Sequence, residues 1–125
     1  MDAKELMTLA REAARNAYSP YSNVHVGAAL VTESGEIFTG CNVENASYSL
    51  TICAERNAVF AAVAAGHTRF ARMAVWADGP VLFTPCGACR QVLSEFAEDM
   101  PVSIASPREQ LDTTLEELLP LRFEM

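Results

Sequence analysis

The sequence has no apolar run near the roughly 20 residues that a membrane span requires. Its opening stretch, MDAKELMTLAREAARNAY, has the spacing of an amphipathic helix and lacks the apolar core of a signal peptide. Linkers, internal repeats and low-complexity segments are also missing, so a single domain is expected over residues 1–125, long enough to bury a core. Positive charge is scarce: nine Lys and Arg stand against 16 Asp and Glu, a formal net charge of −7. That balance argues against a nucleic-acid polyanion as partner and leaves room for a small nucleotide-like ligand. Cysteine is scarce too, at four residues. Without an export signal these are expected as reduced thiols in the cytoplasm, serving a metal or catalysis rather than a disulfide framework.

The patterning predicts alternating elements. A helix is expected from Asp2 to Asn16, with Leu6, Leu9, Ala10, Ala13 and Ala17 at helical spacing and Ser19-Pro20 as its stop. Val24 to Thr32 and Glu36 to Asn42 read as two strands joined by a tight turn at Ser34-Gly35. Thr51 to Ala65 reads as a helix closed by Gly66, and Arg72 to Ala77 as a strand. A helix over Pro85 to Phe96, a strand over Pro101 to Ala105 and a short helix over Leu115 to Leu119 follow. This order suggests a layered α/β sandwich with a mixed sheet.

The chemistry concentrates in TPCGACR, residues 84–90. Thr84 is expected to cap a helix and Pro85 to open it, placing Cys86 and Cys89 on one face of the first turn. The positive end of the helix dipole favours thiolates there. A lone CxxC fits a redox pair as well as a metal site. Cys53, at the start of the preceding predicted helix, supplies a third thiol, with Glu55 two residues on. Three protein ligands with a fourth position open are the mark of a catalytic zinc, whereas four closed ligands make a structural one. Cys41 is the possible fourth, and is read instead as a small buried residue at a strand end. Asn42 and Glu44 would share one face of a strand, as a diol-binding pair or as a turn cluster in NVENAS. Trp76 reads as core or subunit interface.

Cys53-Ala54-Glu55 followed by Pro85-Cys86-Gly87-Ala88-Cys89 matches the zinc deaminase signature in its three-cysteine form. Pro20-Tyr21-Ser22, Val26-Gly27-Ala28-Ala29, Gly40-Cys41-Asn42-Val43-Glu44-Asn45 and Arg90-Gln91-Val92-Leu93 extend the match, as does Leu118-Leu119-Pro120. Over nearly its whole length the chain resembles the small homotetrameric cytidine deaminases. The resemblance implies a three-layer α/β/α sandwich with a mixed β-sheet. It also implies hydrolysis of cytidine and deoxycytidine to uridine and deoxyuridine with release of ammonia, a step of pyrimidine salvage in the cytoplasm. Cys53, Cys86 and Cys89 would bind zinc, and Glu55 would carry protons from the attacking water to the ring nitrogen and the leaving amine. Asn42 and Glu44 would hold the sugar hydroxyls, the Ala54 amide the base carbonyl, and the Thr84 carbonyl would face the departing amine. Phe123 would help close an active site, its own or a neighbour's. Arg56 would donate hydrogen bonds to a ligand sulfur.

One departure stands out. Where the family has a phenylalanine that packs on the pyrimidine, this chain has Val24. The implied alternative is a pocket enlarged at Val24 that takes amine-substituted cytosine nucleosides or a cytosine-containing antibiotic. Strand alternation would turn His25 to the opposite face. A structural zinc domain closed by Cys41 is the reading from another class, and it leaves Glu55 without a role.

Overall fold

The computed structural model describes residues 1–125. In chain order the elements are α1 (Ala3–Ala14), β1 (Val26–Thr32), β2 (Ile37–Cys41), a single 3-10 turn (Tyr48–Leu50), α2 (Ala54–Ala64), β3 (Phe70–Ala77), α3 (Gly87–Phe96), β4 (Pro101–Ala105), β5 (Gln110–Thr114) and α4 (Leu115–Leu118). The five strands form one sheet in the order β2-β1-β3-β4-β5. Only β3 and β4 run parallel; every other neighbouring pair is antiparallel. The sheet is therefore mixed.

Side-chain alternation on the central strands builds the layers. Ala29 of β1 and Ala74 of β3 face Leu6 and Ala10 of α1. Ala28, Leu30, Met73 and Val75 face the other way, onto Ala54, Ala58, Val59 and Ala62 of α2 and Leu93 of α3. Burial on both faces explains why β1 is a continuous run of small and branched residues rather than an alternating one. The result is the expected α/β/α sandwich. Two glycines set the helix–sheet distance. A Cβ on Gly27 would sit 1.9 Å from the Ala10 carbonyl oxygen, and one on Gly40 would sit 2.5 Å from both the Ala54 oxygen and the Ala58 nitrogen. The first turn of α2 thus rests on bare β2 backbone.

Several boundaries differ from expectation, for identifiable reasons. Asp2 is the cap of α1 rather than its first residue, its carboxylate accepting from Glu5 N–H at 2.8 Å. The helix ends at Ala14, well before Ser19-Pro20, so Ala17 is outside it. The chain is claimed there by tertiary pairing: Tyr18 N–H donates to Asn42 O, and Glu44 N–H donates to Tyr18 O. β1 starts at Val26, not Val24. The amides of Val24 and His25 are held by the Ser22 hydroxyl and the Asp78 carboxylate, not by a ladder. Strand alternation therefore does not govern Val24 and His25; the His25 ring lies 2.8 Å from Asp78. β2 ends at Cys41, which leaves Asn42 and Glu44 in irregular chain beyond it. β5 was not expected: its residues 110–112 are exposed and its polar Gln-Leu-Asp-Thr-Thr reads as loop, but it pairs along the whole of β4. Trp76 is half-buried beside the α1 cluster, with the Arg11 guanidinium 5.6 Å from the centre of its ring.

Candidate active site

Two helix N-termini build the site. α2 begins at Ala54 and α3 at Gly87, so Cys53 and Cys86 are the capping residues, one before each helix. This corrects the expected roles of Thr84 and Pro85, which lie outside α3. Cys86 caps with its own sulfur, which accepts from Cys89 N–H at 3.5 Å. Thr84 instead accepts from Arg90 Nη2 at 3.1 Å. The same guanidinium donates to Pro85 O and Leu118 O, each at 2.7 Å, fixing the loop that leads into α3. Thr51 and Ile52, expected as helix, pair with the segment after β2: Val43 and Ile52 exchange backbone hydrogen bonds at 3.0 Å.

The sulfurs of Cys53, Cys86 and Cys89 lie together, all within 4.8 Å of one another. Cys53 and Cys86 are 3.8 Å apart and Cys86 and Cys89 3.4 Å. Zinc bonded to sulfur at about 2.3 Å in a tetrahedron spaces its ligands about 3.8 Å apart, so this donor set fits that ion and leaves one direction open. Cys41 ends β2 half-buried and outside the cluster, its thiol pKa raised by burial. Arg56 Nη2 lies 3.4 Å from Cys53 Sγ, on the expected ligand. The Cys53 thiol pKa is pulled down to about 5, first by the hydrogen bond from Cys89 and then by Arg56, against its own burial. Cys89 is pushed up by the same bond, by burial and by the charges of Glu55 and Cys53.

A cavity of about 220 Å³ opens beside the sulfurs. Cys53, Ala54 and Glu55 line it from the start of α2, Thr84 and Cys86 from the approach to α3, and Asn42 from the end of β2. Val26, Thr51 and Phe83 complete its wall. Glu55 is 5 % exposed. Burial, followed by the charge of Cys53, raises its carboxyl pKa to about 7, which suits a group that must take up and give back a proton near neutrality. Ala54 is the first residue of α2, so its N–H has no partner inside the helix.

Asn42 is nearly buried, its Oδ1 accepting from Val26 N–H and its Nδ2 donating to Val24 O, both at 2.9 Å. One amide hydrogen and one lone pair remain for a ligand. Glu44 lies in an adjoining recess with Tyr21, Ser22, Tyr48 and Thr51, which Thr51 connects to the main cavity. Val24, Glu44 and Phe123 are not among the cavity-lining residues. Val24 is connected to the cavity through its carbonyl, which accepts from Asn42 Nδ2. Phe123 is 70 % exposed, its carbonyl accepting from Gln91 Nε2 at 3.3 Å. Sequence reasoning missed Val26, Thr51 and Phe83; only the adjacency of Phe83 to Thr84 could have pointed to one of them.

An α/β/α sandwich in which two helix N-termini gather three thiols, two of them lining a cavity with a buried carboxylate, has the layout of a metal-dependent hydrolytic centre. Residues 1–104 match the family model of the cytidine and deoxycytidylate deaminase zinc-binding region, and the chain belongs to that family. It is 48 % identical over 127 aligned residues to a cytidine deaminase of Sporosarcina psychrophila, covering 98 % of this chain and 92 % of that one. Among solved structures it is similar to a cytidine deaminase of Burkholderia pseudomallei, with a TM-score of 0.93 and 46 % identity over 98 % of this chain and 100 % of that one. A cytidine deaminase of Mycobacterium tuberculosis superposes with a TM-score of 0.86 at 40 % identity, covering 100 % of this chain and 99 % of that one.

Proposed function

We propose that this protein is a zinc-dependent cytidine deaminase that hydrolyses cytidine and deoxycytidine to uridine and deoxyuridine, releasing ammonia. The observation that carries the reading is the placement of buried Glu55 in one cavity with Cys53 and Cys86, two sulfurs of the Cys53–Cys86–Cys89 cluster. A redox pair would not need the carboxylate, and a closed structural zinc would need Cys41, which lies outside the cluster.

Cys53, Cys86 and Cys89 would hold zinc, which when bound would supply the Lewis acid that makes a water nucleophilic near neutrality. Glu55 takes one proton from that water and passes it to the ring nitrogen, leaving the amino-bearing carbon open to attack. Once the carbon–oxygen bond forms, Glu55 takes the proton of the new hydroxyl and delivers it to the amine; the carbon–nitrogen bond breaks, ammonia departs and the carbonyl of uridine remains. The free Ala54 N–H donates to the base carbonyl, and the Thr84 carbonyl faces the leaving amine. Asn42 and Glu44 hold the sugar hydroxyls, and Arg56 steadies the Cys53 sulfur. Phe123, exposed and outside the lining of its own cavity, serves the site of a neighbouring copy.

That last role calls for an oligomer, which we take as a homotetramer; the largely exposed side chains of Tyr48 and Leu50 leave apolar surface for such a contact. The four free thiols suit a reducing cytoplasm, where the reaction would serve pyrimidine salvage. The test is uridine formation followed by absorbance, before and after removing zinc with a chelator and on restoring it. Zinc-dependent uridine is expected; none from zinc-loaded protein would overturn the reading. Light scattering should give a tetramer mass, and a monomer would remove the role assigned to Phe123.

A further inference from the structure

Phe83 is the only aromatic side chain lining the cavity that holds Glu55, Cys53 and Cys86. It has no structural need to be there. Its neighbour Leu82 packs against the main core, whereas Phe83 belongs to neither core cluster and is 38 % exposed. The ring is nonetheless held in place. A Cβ added to Gly79 would meet Phe83 Cε2 at 2.2 Å, Cζ at 3.0 Å and Cδ2 at 3.2 Å, so the ring lies flush on bare glycine backbone. Gly79 does not have a positive φ, so backbone conformation does not demand glycine there; what an added methyl would meet is the Phe83 ring, which would have to shift. On the other side, Thr84 and Pro85 are tied down by Arg90.

We infer that Phe83, seated on Gly79, is the aromatic wall against which the pyrimidine packs, and is a specificity-determining residue of this site. The inference rests on the deaminase reading and adds a residue to it. A flat nucleobase offers a π-face that an aromatic side chain can stack on or meet edge-on, and the gain does not depend on hydrogen bonding. Phe83 acts in binding and leaves the acid–base chemistry to Glu55. Its loss therefore weakens ground-state and transition-state binding alike, which raises KM and leaves kcat nearly unchanged.

The experiment measures cytidine binding by calorimetry to zinc-loaded Glu55→Gln protein, alone and combined with Phe83→Leu, Phe83→Tyr or Gly79→Ala. Kinetics are run in parallel on the same three substitutions with Glu55 intact. Phe83→Leu should raise Kd and KM about fivefold or more, within the range of base–aromatic stacking. Gly79→Ala keeps the ring and displaces it, and should raise both in the same direction. Phe83→Tyr keeps the face and should bind like the parent. Zinc content should be equal in all. Unchanged Kd and KM in both Phe83→Leu and Gly79→Ala, with the parent making uridine, would overturn the role of Phe83 alone. A parent that neither binds cytidine nor makes uridine would overturn the deaminase reading itself.

Discussion

The Ser22 hydroxyl donates to Glu44 Oε2 at 2.5 Å, joining the segment before β1 to the segment after β2. The amides of Tyr21 and Ser22 donate to the other carboxylate oxygen at 2.9 and 3.2 Å. With three donors converging on it, the Glu44 carboxyl is held below its ordinary pKa, chiefly by the Ser22 hydroxyl. A depressed folded pKa means that this cluster supports the fold fully above the unfolded carboxylate pKa. That support is lost as pH falls through the folded value. If the ionised carboxylate also receives the sugar, cytidine binding weakens over the same acid interval. Ser22→Ala should move that weakening to higher pH and leave kcat at neutral pH unchanged. KM measured across the acid range decides the matter, and an unshifted profile would count against a sugar-binding Glu44.

Glu55→Gln keeps the size of a side chain that is almost wholly buried and removes its ability to carry a proton. The expected loss in kcat is about 10²–10⁴-fold, the usual worth of a positioned acid–base group. Zinc content, measured by atomic absorption, should stay at the parent level because none of the three sulfurs is touched. Loss of metal along with activity would mean that the carboxylate supports the cluster rather than the proton transfers.

Arg56 places Nη2 3.4 Å from Cys53 Sγ, and its Nε is buried with no acceptor in the chain. Its hydrogen bond is among the causes that hold the Cys53 thiol down to about 5. Arg56→Ala should weaken zinc retention by about 10–100-fold, the range for groups that orient metal ligands. Competition with a chromogenic chelator measures this directly. Arg56→Lys should recover only part of the loss, because a lysine lacks the planar fork that reaches the sulfur from this helix position.

The sequence was most legible where chemistry needs unusual residues at fixed spacing. Cys53, Glu55, Cys86 and Cys89 were identifiable before any fold, and the helix starts were placed within three residues because those cysteines sit at them. The central strand β1 was legible because burial on both faces leaves an apolar run. Edges were harder to read. β5 carries exposed polar residues whose pairing comes from β4, not from their own propensity. The end of α1 was set by Tyr18 bonding to Asn42 and Glu44, a tertiary contact invisible in local pattern. Phe83 looked like an ordinary apolar residue before a motif, and its position shows only once Gly79 is seen beneath it.

Gly40 shows how the sheet sets the metal centre. A methyl group there would lie 2.5 Å from both the Ala54 oxygen and the Ala58 nitrogen, atoms of the α2 backbone that cannot rotate away. Gly40→Ala must therefore push the first turn of α2 off β2, carrying Cys53 and Glu55 with it. The expected cost is about 1–3 kcal/mol or more, as for an overpacked core, seen as a melting temperature lower by several degrees. Zinc affinity and kcat should fall together, because Cys53, the proposed ligand, and Glu55, the proposed proton carrier, ride on the same turn. Gly87→Ala is the matched control. It lies in the first turn of α3 between Cys86 and Cys89, its added methyl meets nothing within 4 Å, and its φ is not positive. Alanine there should leave stability unchanged or raise it by about 0.4–1 kcal/mol through a less flexible unfolded chain. Thermal denaturation of both variants separates the two arguments: a stable Gly40→Ala protein would show that α2 can shift without cost, and its zinc affinity would then report whether the site follows.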